Sequence, residues 1–179
     1  MNLFSRCGGD DMVSIVPRRI LIDTNVLLFA LSPLPGSDAT GAKVRHALRQ
    51  GLNAKAFLER SRAEDAVLFV SSISVGEMLE GAREEDVQSV YSVVTSMFPT
   101  LPFDNASAFV AAALARKLHR MDLQDIPDKS KLRNDLYIMA TGIQNACSEF
   151  YTTDNALLKQ ARRLEIPMQV YPLPEVESR

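Results

Sequence analysis

Residues 19–25 read RILIDTN, and this run of aliphatic residues ending at Asp23 decides the fold. A short apolar run of this kind is typical of a strand buried on both faces of a parallel sheet. Similar runs lie at residues 66–70, 100–103, 149–153 and 168–171. Helical segments separate them, and strands that alternate with crossover helices form a parallel sheet. The sequence therefore predicts an α/β fold of three layers, α/β/α, with a central parallel sheet of four to five strands.

The helices of this fold are predicted from the spacing of apolar residues between and after the strands. They cover residues 24–31, 39–62, 72–80, 84–97, 105–118, 131–146 and 155–164. The segment 39–62 is predicted as either one helix or two, because Gly51 lies in its middle. Residues 119–130 contain Pro127 and are predicted as a polar loop.

The chain has 179 residues, 46% of them hydrophobic and 23% charged, which is typical of one globular domain. We expect residues 1–17 to be a flexible tail and residues 18–179 to be the domain, with a helical insertion at 33–65. A net charge of −2 excludes a protein that binds nucleic acid through bulk positive charge. The longest apolar run, residues 108–115, is too short to span a membrane. No secretory signal is evident, so we expect a cytoplasmic protein without a membrane partner.

Four acidic residues lie where the predicted fold brings side chains to one edge of the sheet. Asp23 and Asp154 each follow a strand, and ligands of open α/β sheets bind outside the carboxyl ends of the strands. Glu77 lies about one turn into the helix after the second strand, and Asp135 lies early in an apolar helix. Each acid also has a purely structural interpretation, as a helix cap, a capping-box glutamate or a first-turn acid. Asp104, which also follows a strand, is assigned to capping alone.

Four carboxylates at one sheet edge would repel each other unless a cation neutralised them. A pair at ~4 Å costs about 4 kcal/mol at an effective dielectric constant of 20, which exceeds the gain from a cap. Two cysteines are too few for a cysteine zinc site and two histidines are too few for a histidine-rich metal site, so we expect the ligands of any metal to be mostly oxygen. Oxygen ligands favour Mg²⁺ or Mn²⁺, and such ions are suited to hydrolysing phosphodiesters.

With these acids, four segments in order resemble the motifs of the PIN domain, the nuclease fold of the VapC toxins. They are residues 21–27 with Asp23, residues 73–81 with Glu77, residues 131–140 with Asp135, and residues 152–155 with Asp154. The resemblance spans residues 18–173, nearly the whole chain. It implies a PIN-like arrangement of the three layers.

The resemblance also implies a metal-dependent endoribonuclease, most simply the toxin of a toxin–antitoxin pair. Asp23, Glu77, Asp135 and Asp154 would bind one or two Mg²⁺ or Mn²⁺ ions. Asn25 and Thr153 would orient carboxylates or the metal-bound water that attacks the RNA, leaving a 5′-phosphate and a 3′-hydroxyl. Partners implied by the family are the RNA substrate, an antitoxin protein and a second copy in a homodimer.

The basic residues beside the third motif are the expected contacts to RNA. Lys131 and Arg133 flank Asp135 and would bind phosphate groups near the acidic site. The basic segment 33–65 is expected to be a clip over the groove, part of a dimer face or simply a solvated helix.

Two other functions compete with the nuclease. A non-catalytic PIN-like module that binds RNA or protein would retain the fold without metal chemistry. An aspartyl-phosphate phosphatase would need a second aspartate at the position of Asn25, and no phosphate-binding loop with Walker spacing is present in the sequence.

Overall fold

The computed structural model describes residues 17–36, 40–120 and 129–176. The strands of these ranges are β1 (Arg19–Ile22), β2 (Val67–Ser71), β3 (Thr100–Leu101), β4 (Glu149–Thr152) and β5 (Gln169–Pro172). The helices are α1 (Thr24–Leu31), α2 (Ala42–Ala63), α3 (Ser72–Glu80), α4 (Val87–Met97), α5 (Asn105–His119), α6 (Lys129–Gln144) and α7 (Asn155–Leu164). The predicted tail and most of the predicted loop at 119–130 lie outside the described residues.

The strands form one parallel sheet in the order β3-β2-β1-β4-β5. This confirms the predicted α/β fold and its central parallel sheet. The chain adds β2 and β3 on one side of β1 and then crosses to add β4 and β5 on the other side. The strand order therefore reverses between β1 and β4, and ligand sites of open α/β sheets form at such a switch point.

The alternation of side chains along β1 divides the core between the two faces of the sheet. Ile20 and Ile22 pack on one face with the buried residues of α1, α2 and α3. Leu21 packs on the opposite face with those of α5, α6 and α7. All three side chains are fully buried, so helices cover β1 on both sides. This explains why β1 is apolar from Ile20 to Ile22, as expected for the centre of a parallel sheet.

Gly142 lets α6 approach the sheet closely. A Cβ at this position would lie 2.7 Å from Leu21 Cδ2 and 3.1 Å from Met168 Sδ. Residue 135 precedes Gly142 by two helical turns and so lies near the same side of α6. The close packing at Gly142 therefore fixes how deeply the start of α6 reaches over the carboxyl end of β1.

Several predicted boundaries are wrong for identifiable reasons. For the segment around Gly51, however, the structure confirms the first of the two predicted alternatives, a single helix α2. A Cβ at Gly51 would lie 2.8 Å from Leu34 Cδ2, so glycine permits close packing. β3 ends before Pro102, which has no N–H for the ladder. α6 ends at Gln144, two residues early, and Ala146 has a φ of 53° that no helix continues. A 3₁₀ turn at Glu84–Asp86 replaces the first residues of the helix predicted at 84–97.

Candidate active site

Asp23 is the first residue after β1, and its carboxylate is buried at the switch point. Its Oδ1 accepts a hydrogen bond from the backbone N–H of Thr24 at 2.8 Å. Its Oδ2 accepts one from the Thr152 hydroxyl at 2.6 Å. Burial raises the pKa of Asp23 to about 6 in spite of these bonds, and the charges of Glu77 and Asp154 also raise it. The protein therefore holds this group where its charged form is disfavoured.

Asp154 follows β4 and caps α7. Its Oδ1 accepts hydrogen bonds from the N–H groups of Ala156 at 2.7 Å and Leu157 at 3.2 Å. Its Oδ2 is bonded to the ammonium of Lys131. Burial alone would raise the pKa of Asp154, but the hydrogen bond from Lys131 and those from the backbone lower it overall. The Thr152 hydroxyl accepts a bond from the Asp154 backbone N–H at 2.9 Å and so links the backbone of Asp154 to the buried carboxylate of Asp23.

Glu77 projects from α3 and ties three helices together. Its Oε2 accepts a hydrogen bond from the Thr24 hydroxyl of α1 at 2.5 Å. Its Oε1 accepts one from the Asn134 amide of α6 at 2.8 Å. The capping box considered for Glu77 is not formed, because Ser74 lies inside α3 and the cap is Ser71. The carboxylate is therefore held in place by contacts with other elements and not by its own helix start.

Asp135 lies in the second turn of α6, beyond the first turn in which an acid would favour the helix dipole. Its half-buried carboxylate makes no hydrogen bond or ion pair with any described residue. Burial raises its pKa to about 7, the charge of Asp23 adds to this effect and Lys131 opposes it. The charges of Asp154 and Glu77 raise the pKa further. Asp135 is thus a carboxylate that the fold places beside three others without a bonding partner.

The structure brings the four predicted acids together at the carboxyl end of the central strands. We refer to them as the carboxylate cluster: Asp23, Glu77, Asp135 and Asp154. Hydrogen bonds fix three of its members, and mutual repulsion disfavours the charged form of the two with raised pKa values. A nearby cation would relieve this repulsion.

The residues that orient these carboxylates differ from those predicted. Asn25 and Thr153 make no side-chain hydrogen bond to a residue of the described ranges, whereas Thr24, Thr152 and Asn134 do. One signal for Thr152 was present in the sequence. A threonine two residues before an aspartate can accept the N–H of that aspartate, as it does here. Nothing in the sequence pointed to Asn134.

The donor chemistry of the cluster fits a hard divalent cation, because every donor is a carboxylate oxygen. In the present arrangement, no three acidic, histidine or cysteine side chains of the described residues are grouped so as to hold a metal ion. The reason is visible in the contacts: both Glu77 oxygens accept hydrogen bonds, and Asp154 Oδ2 is bonded to Lys131. Metal binding would therefore require these side chains to turn towards Asp135.

The two basic residues predicted to contact RNA lie near the cluster but in different surroundings. The Lys131 side chain is 55% exposed and forms the ion pair with Asp154. Arg133 is exposed and makes no side-chain hydrogen bond or ion pair within the described part of the chain. By contrast, Arg18 lies at the opposite end of β1, where it pairs with Glu64 and Glu149. The contact of Lys131 and Arg133 with RNA stays a prediction.

Comparison with protein families gives one match that covers most of the chain. The model of the family described as PIN domain matches residues 20–163, which contain all four acids of the carboxylate cluster. No curated protein matches the chain in sequence. None of the described helices is long and apolar enough to cross a membrane.

Three solved structures share the fold at low sequence identity. The first is the crystal structure of VapBC2 from Rickettsia felis bound to a DNA fragment from its promoter, with a TM-score of 0.60 at 20% identity over 87% of this chain and 99% of that one. DNA-bound VapBC from Salmonella typhimurium gives 0.56 at 17% identity, over 88% and 99%. VapBC-1 from nontypeable Haemophilus influenzae gives 0.59 at 17% identity, over 87% and 98%.

Proposed function

The chain belongs to the PIN domain family, and from this premise we propose that it is a metal-dependent endoribonuclease. Membership of this family supports hydrolysis of nucleic acid, and the carboxylate cluster supports an ion of the Mg²⁺ or Mn²⁺ type. The choice of RNA as the substrate follows the resemblance of the four motifs to those of VapC toxins.

The observation that carries the proposal is the state of Asp135. Its half-buried carboxylate has no bonding partner among the described residues and faces the charges of Asp23, Glu77 and Asp154. An ionised group in such a position destabilises the fold, so a stabilising role does not account for it. A divalent cation bound between these oxygens would supply the missing interaction.

Hydrogen bonds from residues around the cluster would keep its carboxylates close to one another. Thr152 fixes one oxygen of Asp23, and Thr24 and Asn134 fix both oxygens of Glu77. Because a carboxylate oxygen has two lone pairs, a hydrogen-bonded oxygen can still bind a cation. These bonds keep the two side chains beside Asp135, and a turn of their carboxylates towards it would complete the site.

The chemistry proposed for this site is attack of water on an RNA phosphodiester, with a 5′-phosphate and a 3′-hydroxyl as products. A bound divalent cation supplies activation of water and compensation of phosphoryl charge in such reactions. Lys131 and Arg133 precede Asp135 on α6 by about one turn and half a turn, and in this proposal they would offset the phosphate charges of the bound RNA strand.

The partner proposed for the chain is an antitoxin protein. All three solved structures described above are VapBC complexes, and two of them hold DNA. We infer that this chain is likewise the toxin of a toxin–antitoxin pair, and that it forms a homodimer. Co-expression with the product of an adjacent small reading frame, followed by co-purification, tests the partner.

The nuclease itself is tested by incubating the purified full chain with RNA and Mn²⁺ or Mg²⁺. We expect cleavage that EDTA abolishes, and a loss of more than about 100-fold in rate for Asp135→Asn, since even outer-sphere changes at metal sites cost 10–100-fold. Asp104→Asn is the matched control, because it makes the same substitution at an acid that caps a helix and lies outside the cluster. Equal cleavage by both variants would refute the assignment.

A non-catalytic RNA- or protein-binding module is the second candidate, and one observation favours it. Asp23 and Asp154 cap helices and Glu77 joins three helices, so these acids have structural contacts in the absence of metal. This candidate predicts that Mn²⁺ does not raise the melting temperature of the wild type. It also predicts RNA or protein binding that Asp135→Asn leaves intact.

A further inference from the structure

The carboxylate cluster already contacts one cation of the chain itself, the ammonium group of Lys131. This group forms an ion pair with Asp154 Oδ2. The two side chains differ in exposure: 12% for Asp154 and 55% for Lys131. A largely buried carboxylate is thus neutralised by a cation that reaches it from the solvent side.

The charge of Lys131 acts on more than its direct partner. The hydrogen bond to Asp154 is the main reason why the pKa of Lys131 is raised, and the charges of Asp135 and Asp23 contribute to the same direction. Conversely, Lys131 opposes the rise in the pKa of Asp135. The ammonium therefore lies within the electrostatic field of the cluster, which would also attract a divalent cation.

The two oxygens of Asp154 are not equivalent towards a cation. Oδ1 accepts the backbone N–H groups of Ala156 and Leu157 and is committed to capping α7. Oδ2 accepts none of these backbone bonds and is instead hydrogen-bonded to the Lys131 ammonium. A divalent ion on Oδ2 and an ammonium on the same oxygen would repel each other strongly at such short range.

We propose that Lys131 is an internal counter-ion of the carboxylate cluster, which competes with the divalent cation for Asp154 and leaves when that cation binds. This inference rests on the metal site of the proposed function. The flexible four-carbon stem and exposed position of Lys131 allow its departure at little cost, whereas the backbone bonds keep Asp154 in place. In the metal-free protein the lysine lowers the repulsion among the four acids.

The first test is the dissociation constant for Mn²⁺, measured by titration calorimetry on the full chain. We expect Lys131→Met to bind Mn²⁺ about fivefold more tightly than the wild type, which corresponds to about 1 kcal/mol for loss of a competing, partly exposed ion pair. Lys159→Met is the matched control. It removes the same charge from an exposed position on α7 that makes no side-chain bond to a described residue, and we expect a change under about twofold.

The second test is thermal unfolding of the same variants with and without Mn²⁺. Without metal, Lys131→Met should melt below the wild type, because the cluster has lost its counter-ion. With saturating Mn²⁺ the difference in melting temperature should disappear, because Lys131 of the wild type has then left the cluster and the variant has no lysine there.

The outcomes separate this inference from the proposed function. Unchanged or weaker Mn²⁺ binding by Lys131→Met, with normal binding by the wild type, would overturn the exchange but leave the metal site standing. A stability difference that persists at saturating Mn²⁺ would likewise overturn the exchange of Lys131 for the metal and leave the metal site standing. Failure of the wild type to bind Mn²⁺ at all would overturn both the metal site and the exchange.

Discussion

Replacing Asp135 with asparagine should stabilise the metal-free protein at about pH 8 while abolishing its proposed activity. The pKa of this carboxyl is about 7 in the folded protein and 3.8 in its ordinary state. Because the folded state binds the proton more tightly, the wild type is most stable below about pH 4. It loses stability as the pH rises from there through about 7. Asparagine does not titrate, so the stability of the variant relative to the wild type should increase over this pH range and reach its maximum above about pH 7.

The size of the effect follows from the difference between the two pKa values. A difference of about 3 corresponds to about 4 kcal/mol at 1.36 kcal/mol for each tenfold step. Asp135 is only half-buried, and solvent screens its repulsion, so we expect about half of this, ~2 kcal/mol. For a chain of this length, ~2 kcal/mol corresponds to a rise of about 4–8 °C in the melting temperature.

The assay is thermal unfolding in EDTA, followed by circular dichroism, at several pH values between about 4 and 8. Asp104→Asn is the control, because Asp104 is exposed and its hydrogen bonds from Ser107 lower its pKa. That variant should gain no stability at any pH in the range. If Asp135→Asn is no more stable than the wild type at about pH 8, or if its advantage does not shrink towards pH 4, the reasoning on the cluster is wrong.

Two further substitutions test how the site is built. Thr152→Val removes the hydroxyl that donates to the buried Asp23 carboxylate and accepts the Asp154 N–H, and it should cost about 1–3 kcal/mol in urea unfolding. Thr153→Val, at a hydroxyl without a partner among the described residues, should cost less than about 0.5 kcal/mol. Gly142→Ala should destabilise the protein by about 1–3 kcal/mol, because the added Cβ would lie 2.7 Å from Leu21 Cδ2. Gly76→Ala should stabilise α3 by about 0.5–1 kcal/mol, because nothing lies within 4 Å of the added Cβ. Equal effects within either pair would contradict the contacts described.

The sequence predicted the sheet and the position of the cluster because both depend on local patterns. Strand β1 is recognisable from four consecutive residues, and Asp23 follows its last residue whichever strands pair with β1. The cap formed by Asp104 was likewise predictable, and its Oδ1 accepts the Ser107 N–H at 2.8 Å as expected. The sequence left open whether Gly51 divides a helix, because the reason for this glycine is tertiary: Leu34, which packs closely against it, lies outside the helix.

The contacts that orient the cluster were out of reach of local patterns. The hydrogen bond from Thr152 to Asp23 joins residues 129 positions apart, and that from Asn134 to Glu77 joins residues 57 apart. Such bonds depend on how two elements lie relative to each other within tenths of an ångström. For the same reason Lys131, expected to bind RNA, could not be assigned to its ion pair before the position of α6 over the sheet was known.

Capping and catalysis are not alternatives for these acids, and the comparison of two caps shows why. Asp104 and Asp23 each follow a strand and accept a backbone N–H of the helix that follows. Hydrogen bonds lower the pKa of Asp104, which is what a cap alone does to a carboxylate. The pKa of Asp23 is raised to about 6, because burial and the neighbouring acids outweigh the same kind of bond. The cap therefore explains how the carboxylate is held, and the proposed cation would explain why the fold holds it beside three other acids.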